Sequence, residues 1–164
     1  MRIKTFSSHL LYWVSAWLVL FLVSCEPDTT CYKDMETYMV VTLHADSLDA
    51  NNTRTTYTAW DSIQVQAIGV DTILYSTSAI EELTLQLCPD TTVTAYLMNY
   101  HGSIDTLWIT HTPKLQYVSL ACGCYVQHTI TGARSTDTRV DSVAIINASV
   151  ETTAQENIRI YMHE

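Results

Sequence analysis

Four cysteines in the body of this 164-residue chain are the side chains best suited to covalent chemistry: Cys31, Cys88, Cys122 and Cys124. In an exported protein an even set of thiols indicates two disulfides, with three possible connectivities. Cys122 and Cys124 would share one face of a strand, where they are poorly placed to bridge each other. A metal site with His128 is the alternative. The usual CxxC spacing is absent, so we expect no metal and no cofactor.

A fifth cysteine, Cys25, follows Leu22-Val23-Ser24 at the end of the apolar run 10–23. A positively charged start followed by an apolar run of this length is typical of a signal peptide. The tetrapeptide is similar to a bacterial lipobox, whose cysteine takes a diacylglyceryl thioether and becomes the mature N-terminus. The run is shorter than the roughly 20 apolar residues of a membrane-spanning helix. An uncleaved signal anchor is therefore the weaker alternative.

These features predict three regions of the chain. We expect a signal peptide at 1–24, a lipidated N-terminus and tether at 25–35, and one folded domain at 36–164. The formal net charge of −9 makes nucleic acid an unsuitable partner, because phosphates repel an acidic surface. The lipid would anchor the protein to the outer membrane, facing either the periplasm or the cell surface.

Short strands are the elements that must position these residues. Apolar and polar residues alternate over Ser62–Ile68 and Glu82–Leu87, and no stretch after Cys25 keeps a helical period. About nine such strands predict an all-β fold, a single antiparallel β-sandwich of Greek-key, immunoglobulin-like type. A small closed barrel is the competing architecture.

Three segments carry more specific structural predictions. The polar run Ala45–Thr56 is predicted to be a loop, and Pro113 is predicted to separate two strands. Both faces of the strand over 91–100 carry apolar residues. We expect the face with Tyr96 and Met98 to be a packed layer rather than an aromatic binding platform.

Aspartate is unusually often followed by a hydroxyl residue, in eight of ten cases. Seven of these pairs continue with Thr or an aliphatic residue, which resembles the general O-glycosylation site of Bacteroidota envelope proteins. The structural alternative is a strand-entry turn held by side-chain-to-backbone hydrogen bonds. We expect glycans at one or more of Thr29, Ser47, Ser62, Thr72, Thr91, Thr106 and Ser142.

Catalytic motifs are absent from the sequence. There is no GxSxG, no HExxH and no phosphate-binding glycine loop. His44, His111 and His128 lie in predicted strands at unrelated spacings. We expect a protein that is not an enzyme. A small hydrolase stays as a third hypothesis, because catalytic triads are assembled by geometry rather than by sequence order.

Three segments carry a resemblance to a known family: residues 117–124, Asp141-Ser142-Val143-Ala144 and Asn157-Ile158-Arg159-Ile160-Tyr161. With the lipobox and the nearby Cys31, they resemble a family of small Bacteroidota lipoproteins catalogued only as a domain of unknown function. The likeness covers essentially the whole mature chain, and the family implies no activity or functional residues.

The resemblance bears on the cysteines. Family members usually carry a polar residue at the position of Cys88, which implies that Cys88 and Cys124 are a pair added in this chain. We predict the disulfides Cys31–Cys122 and Cys88–Cys124, with exchanged partners as the nearest alternative.

A lipid tether without catalytic motifs favours a non-catalytic outer-membrane lipoprotein that acts by protein–protein contact. Its partner would be an outer-membrane β-barrel or another envelope protein. The alternative is a surface module that binds glycan or peptide. The last strand is a candidate edge for strand addition by a partner, through Asn157, Arg159 and Tyr161.

Replacing Cys25 tests the anchor. Cys25→Ala removes the thiol that would carry the lipid, and stable anchoring needs two or more acyl chains. We expect the wild-type protein to begin at acylated Cys25 by intact mass and to sediment with membranes, and the variant to be recovered in the soluble fraction. Cys88→Ala, which keeps the lipobox, is the matched control. A Cys25→Ala protein that stays wholly with the membrane would contradict lipidation.

Overall fold

The structure is a computed structural model that describes residues 31, 35–48, 54–57, 62–77 and 80–162. Within these ranges all regular structure is strand, and the described residues contain no candidate membrane-spanning helix. The strands are β1 (Met39–Leu48), β2 (Arg54–Tyr57), β3 (Ile63–Ala67), β4 (Ile73–Thr77), β5 (Glu82–Leu85), β6 (Val93–Tyr100), β7 (Ser103–Ser119), β8 (Gly123–Ser135), β9 (Val140–Ile145), β10 (Ser149–Val150) and β11 (Glu156–Met162).

The strands form two packed sheets, which confirms the predicted all-β sandwich. The five-stranded sheet has the order β2-β1-β11-β9, and β5 pairs with the first half of β1. The six-stranded sheet has the order β10-β8-β7-β6-β3-β4. One pair departs from the antiparallel prediction: β1 and β11 run parallel, with Val41 opposite Ile158 and Leu43 opposite Ile160.

Two local predictions were wrong. The polar run Ala45–Thr56 is not a loop throughout, because β1 continues to Leu48 and pairs with β2. Backbone hydrogen bonding forms this hairpin, and composition gives little sign of it. Pro113 does not break its strand either, since β7 passes through it. The pairing of β7 with β6 ends at Thr110, so a proline beyond that point costs no hydrogen bond to β6.

The core lies between the sheets and follows the alternation of each strand. Met39, Val41 and Leu43 of β1 are fully buried, while Thr42 and His44 between them are not. Tyr96 and Met98 of β6 are also buried, so their face is a packed layer, as predicted.

Asp105 is a buried charged residue, with an exposed fraction of 1%. Its carboxylate accepts hydrogen bonds from the Thr136 hydroxyl at 2.6 Å and from the backbone N–H groups of Thr138, Arg139 and Val140 at 2.9, 2.8 and 3.3 Å. Desolvation opposes ionisation of Asp105, but these hydrogen bonds outweigh it and lower its pKa. Asp105 therefore fastens the connection from β8 to β9 onto β7.

Removing this carboxylate should cost stability. Asp105→Ala leaves buried backbone donors without an acceptor, so we expect the free energy of unfolding to fall by about 2–4 kcal/mol. Urea denaturation at neutral pH measures the change. Asp90→Ala, in an exposed turn, should change stability by less than about 0.5 kcal/mol. Equal losses in the two variants would contradict the role given to Asp105.

Candidate functional site

The outer face of the five-stranded sheet presents a row of polar side chains. Strand alternation turns Thr42 and His44 of β1 outward. The register places Arg159 of β11 beside Thr42 on one side, and Glu82 of β5 beside Thr42 on the other. Tyr161 lies opposite His44 in the same way. Residues far apart in sequence therefore meet on one surface.

These side chains surround an open cleft of about 320 Å³, lined by Thr42, His44, Glu81, Glu82, Glu156 and Arg159. The three strands that build it are fixed from below by the sandwich core, since the residues that alternate with the lining are buried. The cleft therefore has a rigid floor and polar walls. We call it the sheet cleft.

A bidentate ion pair organises the floor of the sheet cleft. The Arg159 guanidinium donates from Nε and Nη2 to the two oxygens of Glu156, at 2.7 Å each, and the Thr42 hydroxyl donates to Glu156 at 2.5 Å. The hydrogen bond from Arg159 is the main cause that lowers the pKa of Glu156, and Glu156 raises the pKa of Arg159 in turn. Arg159 is thus held by Glu156, which leaves Glu81 and Glu82 as excess negative charge.

This arrangement offers groups that can bind polar and cationic ligands. The Thr42 hydroxyl donates to Glu156, whose pKa is lowered chiefly by its hydrogen bond from Arg159, so this carboxylate is a weak base for activating the hydroxyl as a nucleophile. The His44 ring lies against the Tyr161 ring, with centroids 5.8 Å apart. Carboxylates at the rim can receive ammonium or guanidinium groups, and the polar floor can receive hydroxyl groups.

The predicted partner edge was wrong. β11 is an interior strand, hydrogen-bonded to β1 on one side and to β9 on the other, so its backbone has no open side. Asn157 is buried: it accepts from the Val40 N–H and donates to the carbonyls of Asn147 and Ser149. Of the three predicted residues, Arg159 lines the sheet cleft and Tyr161 lies beside His44, while Asn157 is structural.

A second polar cluster lies in the interior. His111 Nε2 is 2.8 Å from the Thr94 hydroxyl, His111 Nδ1 is 3.1 Å from His128 Nδ1, and the Cys88 N–H donates to Thr94. Burial lowers the pKa of His111, and burial together with the charge of His111 lowers the pKa of His128 to about 4. Within the described part of the chain neither ring is hydrogen-bonded to a carboxylate. The cluster is a neutral polar network in the core.

The first predicted disulfide is confirmed, because Cys31 and Cys122 are disulfide-bonded. This bond consumes the Cys122 thiol that the metal alternative would have used. Among the residues with a described placement, no group of three or more His, Cys, Asp or Glu side chains could hold a metal ion.

The second predicted disulfide is wrong, because Cys88 and Cys124 are free. Cys88 is hydrogen-bonded to Thr94, whose register partner on β7 is Ile109, whereas Cys124 lies opposite Tyr117 on the same strand. Eight residues of strand separate those two partners, or about 26 Å. A disulfide needs Cα atoms within about 7 Å of each other.

The hydroxyls predicted to carry glycans differ in exposure. Thr106 is half-buried and follows Asp105, which serves the fold instead. Thr29 and the side chain of Ser47 lie outside the described residues, as does the predicted lipidation site Cys25. The remaining four are exposed: Ser62, Thr72, Thr91 and Ser142. Ser62 and Thr72 directly precede β3 and β4, as strand-entry turns require. Glycosylation at these four sites stays a prediction.

Sequence reasoning reached Arg159 and missed the other five residues of the sheet cleft. The alternation of Thr42 and His44 with buried neighbours was a usable sign of a polar outer face. No local sequence pattern indicated that β5 and β11 flank β1. The meeting of Glu82 and Arg159 beside Thr42 therefore could not be predicted from the sequence.

By fold and site, the chain is a β-sandwich domain with a polar cleft on the outer face of one sheet. A family model described as a family of unknown function, DUF6452, matches residues 62–162. The match covers more than half of the chain, so the protein belongs to this family. No curated protein and no solved structure matches it.

The buried histidine pair predicts a pH dependence. Because the folded pKa of His128 is lowered to about 4, its contribution to stability is complete above the unfolded pKa near 6.5 and is lost as pH falls from there toward 4. We expect His128→Gln to flatten the stability curve in that window by up to about 1 kcal/mol per pH unit.

Urea denaturation at several pH values measures this slope. His101→Asn is the matched control, since His101 is exposed in a turn at φ 48°, a conformation that Asn tolerates. Slopes that are identical in wild type and His128→Gln would show that the pair does not resist protonation.

Proposed function

We propose that this protein is a non-catalytic, lipid-anchored β-sandwich of the bacterial envelope that binds a basic segment of another envelope protein in the sheet cleft. The observation that carries the proposal is the charge of the cleft: three glutamates line it against one arginine. That arginine is already held by Glu156 at two points. The unmatched charge of Glu81 and Glu82 favours a partner that carries Lys or Arg.

The location is argued from the sequence. The lipobox at Cys25 and the resemblance to small Bacteroidota lipoproteins support a diacylglyceryl anchor in the outer membrane. An anchored domain meets other membrane proteins at a high effective concentration, so a modest contact suffices. At this location, the proposed partners are basic segments of an outer-membrane β-barrel or of another envelope protein.

Electrostatics would act in two ways at this site. The acidic surface, with a net charge of −9, raises the rate at which a cationic segment arrives. The charge of Glu81 and Glu82 also limits which segments fit, because it would repel a partner carboxylate. The proposed role of the ion pair is to hold Glu156 in one position rather than to bind the partner itself.

A surface module for glycan or peptide is the second candidate function. The half-buried rings of His44 and Tyr161 lie together beside the sheet cleft, and a ring pair next to hydrogen-bonding groups is a common way to hold a sugar. A hydrolase is the third. Its support is weakest, since the buried histidines are bonded to Thr94 and to each other.

Charge neutralisation in the sheet cleft tests the proposal. A photo-crosslinking residue in place of His44 would report the occupant in intact cells. We expect a protein adduct of defined mass, whose yield falls by about tenfold in Glu81→Gln/Glu82→Gln. Losing a close charge pair at an interface costs at least about 1.5 kcal/mol, which is roughly a tenfold loss of affinity. Raising the ionic strength of isolated membranes should weaken the adduct in the same way.

The matched control is Asp71→Asn/Asp90→Asn, which removes the same number of charges from exposed residues outside the strands. It should keep the adduct. Equal loss in both double variants would reduce the effect to net charge, and an adduct unaffected by either would refute cationic recognition. Glycan attached to the probe instead of protein would favour the second candidate.

A further inference from the structure

The long β7–β8 hairpin extends beyond both of its neighbouring strands. β7 pairs with β6 only as far as Thr110, and β8 pairs with β10 at His128 and Thr129. From Lys114 opposite Gln127 onward, neither strand pairs with a third strand of the described sheets. The Thr37 hydroxyl donates to the Val126 carbonyl, and Gln127 donates to Ser149 and Glu151. We call residues 114–127 the hairpin tip. A two-stranded ribbon of this kind is marginally stable by itself, so contact with another surface would support it.

Large apolar side chains of the hairpin tip are exposed. Leu115 is 67% exposed, Tyr117 is 64% exposed, and Leu120 in the turn is 98% exposed. Leu115 and Tyr117 are two residues apart on one strand and therefore share a face. Clustered apolar exposure marks a surface that something covers, whereas scattered apolar residues need no explanation.

The charge of the hairpin differs from that of the rest of the chain. No acidic residue occurs between Asp105 and Asp137, although the chain has 17 Asp and Glu. The charged residues in this interval are Lys114, in the hairpin tip, and Arg134. An anionic surface would repel the acidic remainder of the protein but would not repel this hairpin.

A covalent path connects the hairpin tip to the proposed lipid. Cys122, in the turn, is disulfide-bonded to Cys31, and Cys31 follows Cys25 by six residues. Six residues of fully extended chain span at most about 22 Å. The disulfide adds about 6 Å between its two Cα atoms. Cys122, in the turn of the hairpin, therefore lies within about 28 Å of the acylated residue.

We infer that the hairpin tip docks onto the lipid bilayer beside the anchor, with Leu120 and Tyr117 in the interfacial layer. The inference rests on the proposed lipidation of Cys25. A lipid surface fits the observations better than a protein does, because the tether fixes the distance to the bilayer and Leu and Tyr suit its interface. Lys114 then lies at the height of the anionic head groups. The bilayer contact is a second attachment, which orients the domain relative to the membrane.

Site-specific photo-crosslinking to lipid tests the inference. The acylated full-length mature protein is placed in vesicles of phosphatidylethanolamine and phosphatidylglycerol, with a diazirine residue at position 117 or 120. Position 104 is the matched control, since Ile104 is 56% exposed at the opposite end of β7. We expect lipid adducts at 117 and 120 to exceed those at 104 by about tenfold, the order of preference expected for burying one Leu side chain.

A second variant keeps the test independent of folding. Leu120→Asp changes a fully exposed side chain and should lower the lipid adduct at 117 by about tenfold, while Ile104→Asp should leave it unchanged. Flotation of the same samples reports the anchor separately. Vesicle-bound protein with equal adducts at 104, 117 and 120 would overturn the bilayer contact and leave the anchor standing. Protein that does not float would overturn both. Adducts to a second copy of the chain at 117 or 120 would overturn the bilayer contact and show that the hairpin tip self-associates.

Discussion

The parallel pairing of β1 with β11 is the constraint on which the rest of the structure depends. It joins the first described strand to the last, and it places β11 in the interior of its sheet. The buried side of the pair closes the core with Val41 and Ile158. The outward side sets Thr42 beside Arg159, which gives the sheet cleft its ion pair and its shape. One pairing thus determines both stability and the candidate site.

Local patterns predicted what strand periodicity controls. The alternation in Ser62–Ile68 and Glu82–Leu87 located β3 and β5, and the expectation of a sandwich interior correctly buried Tyr96 and Met98. The bond between Cys31 and Cys122 was predicted as well. These features follow from residues close together in sequence, or from the resemblance to a family, and neither requires knowledge of which strands become neighbours.

Long-range pairing explains what could not be predicted. An alternating strand such as β11 has the same sequence pattern in the middle of a sheet as at its edge, so the partner edge was misplaced. The second disulfide failed for the same reason, because Cys88, which precedes β6, and Cys124 of β8 lie near widely separated positions of β7. The sheet cleft required three strands to be ordered correctly. Most of its lining residues are polar, and their sequence pattern is the same as that of ordinary solvent-exposed residues.

We propose that the sheet cleft receives a cationic segment, and an amide-resolved NMR titration with a lysine-rich peptide is the sharpest test of this claim. We expect saturable chemical-shift changes confined to Thr42, Glu82 and Arg159 and their neighbours, abolished by high salt. A glutamate-rich peptide of equal length should shift none of them. Saturable binding that maps elsewhere on the sandwich, or no response to the lysine-rich peptide at low salt, would contradict the claim.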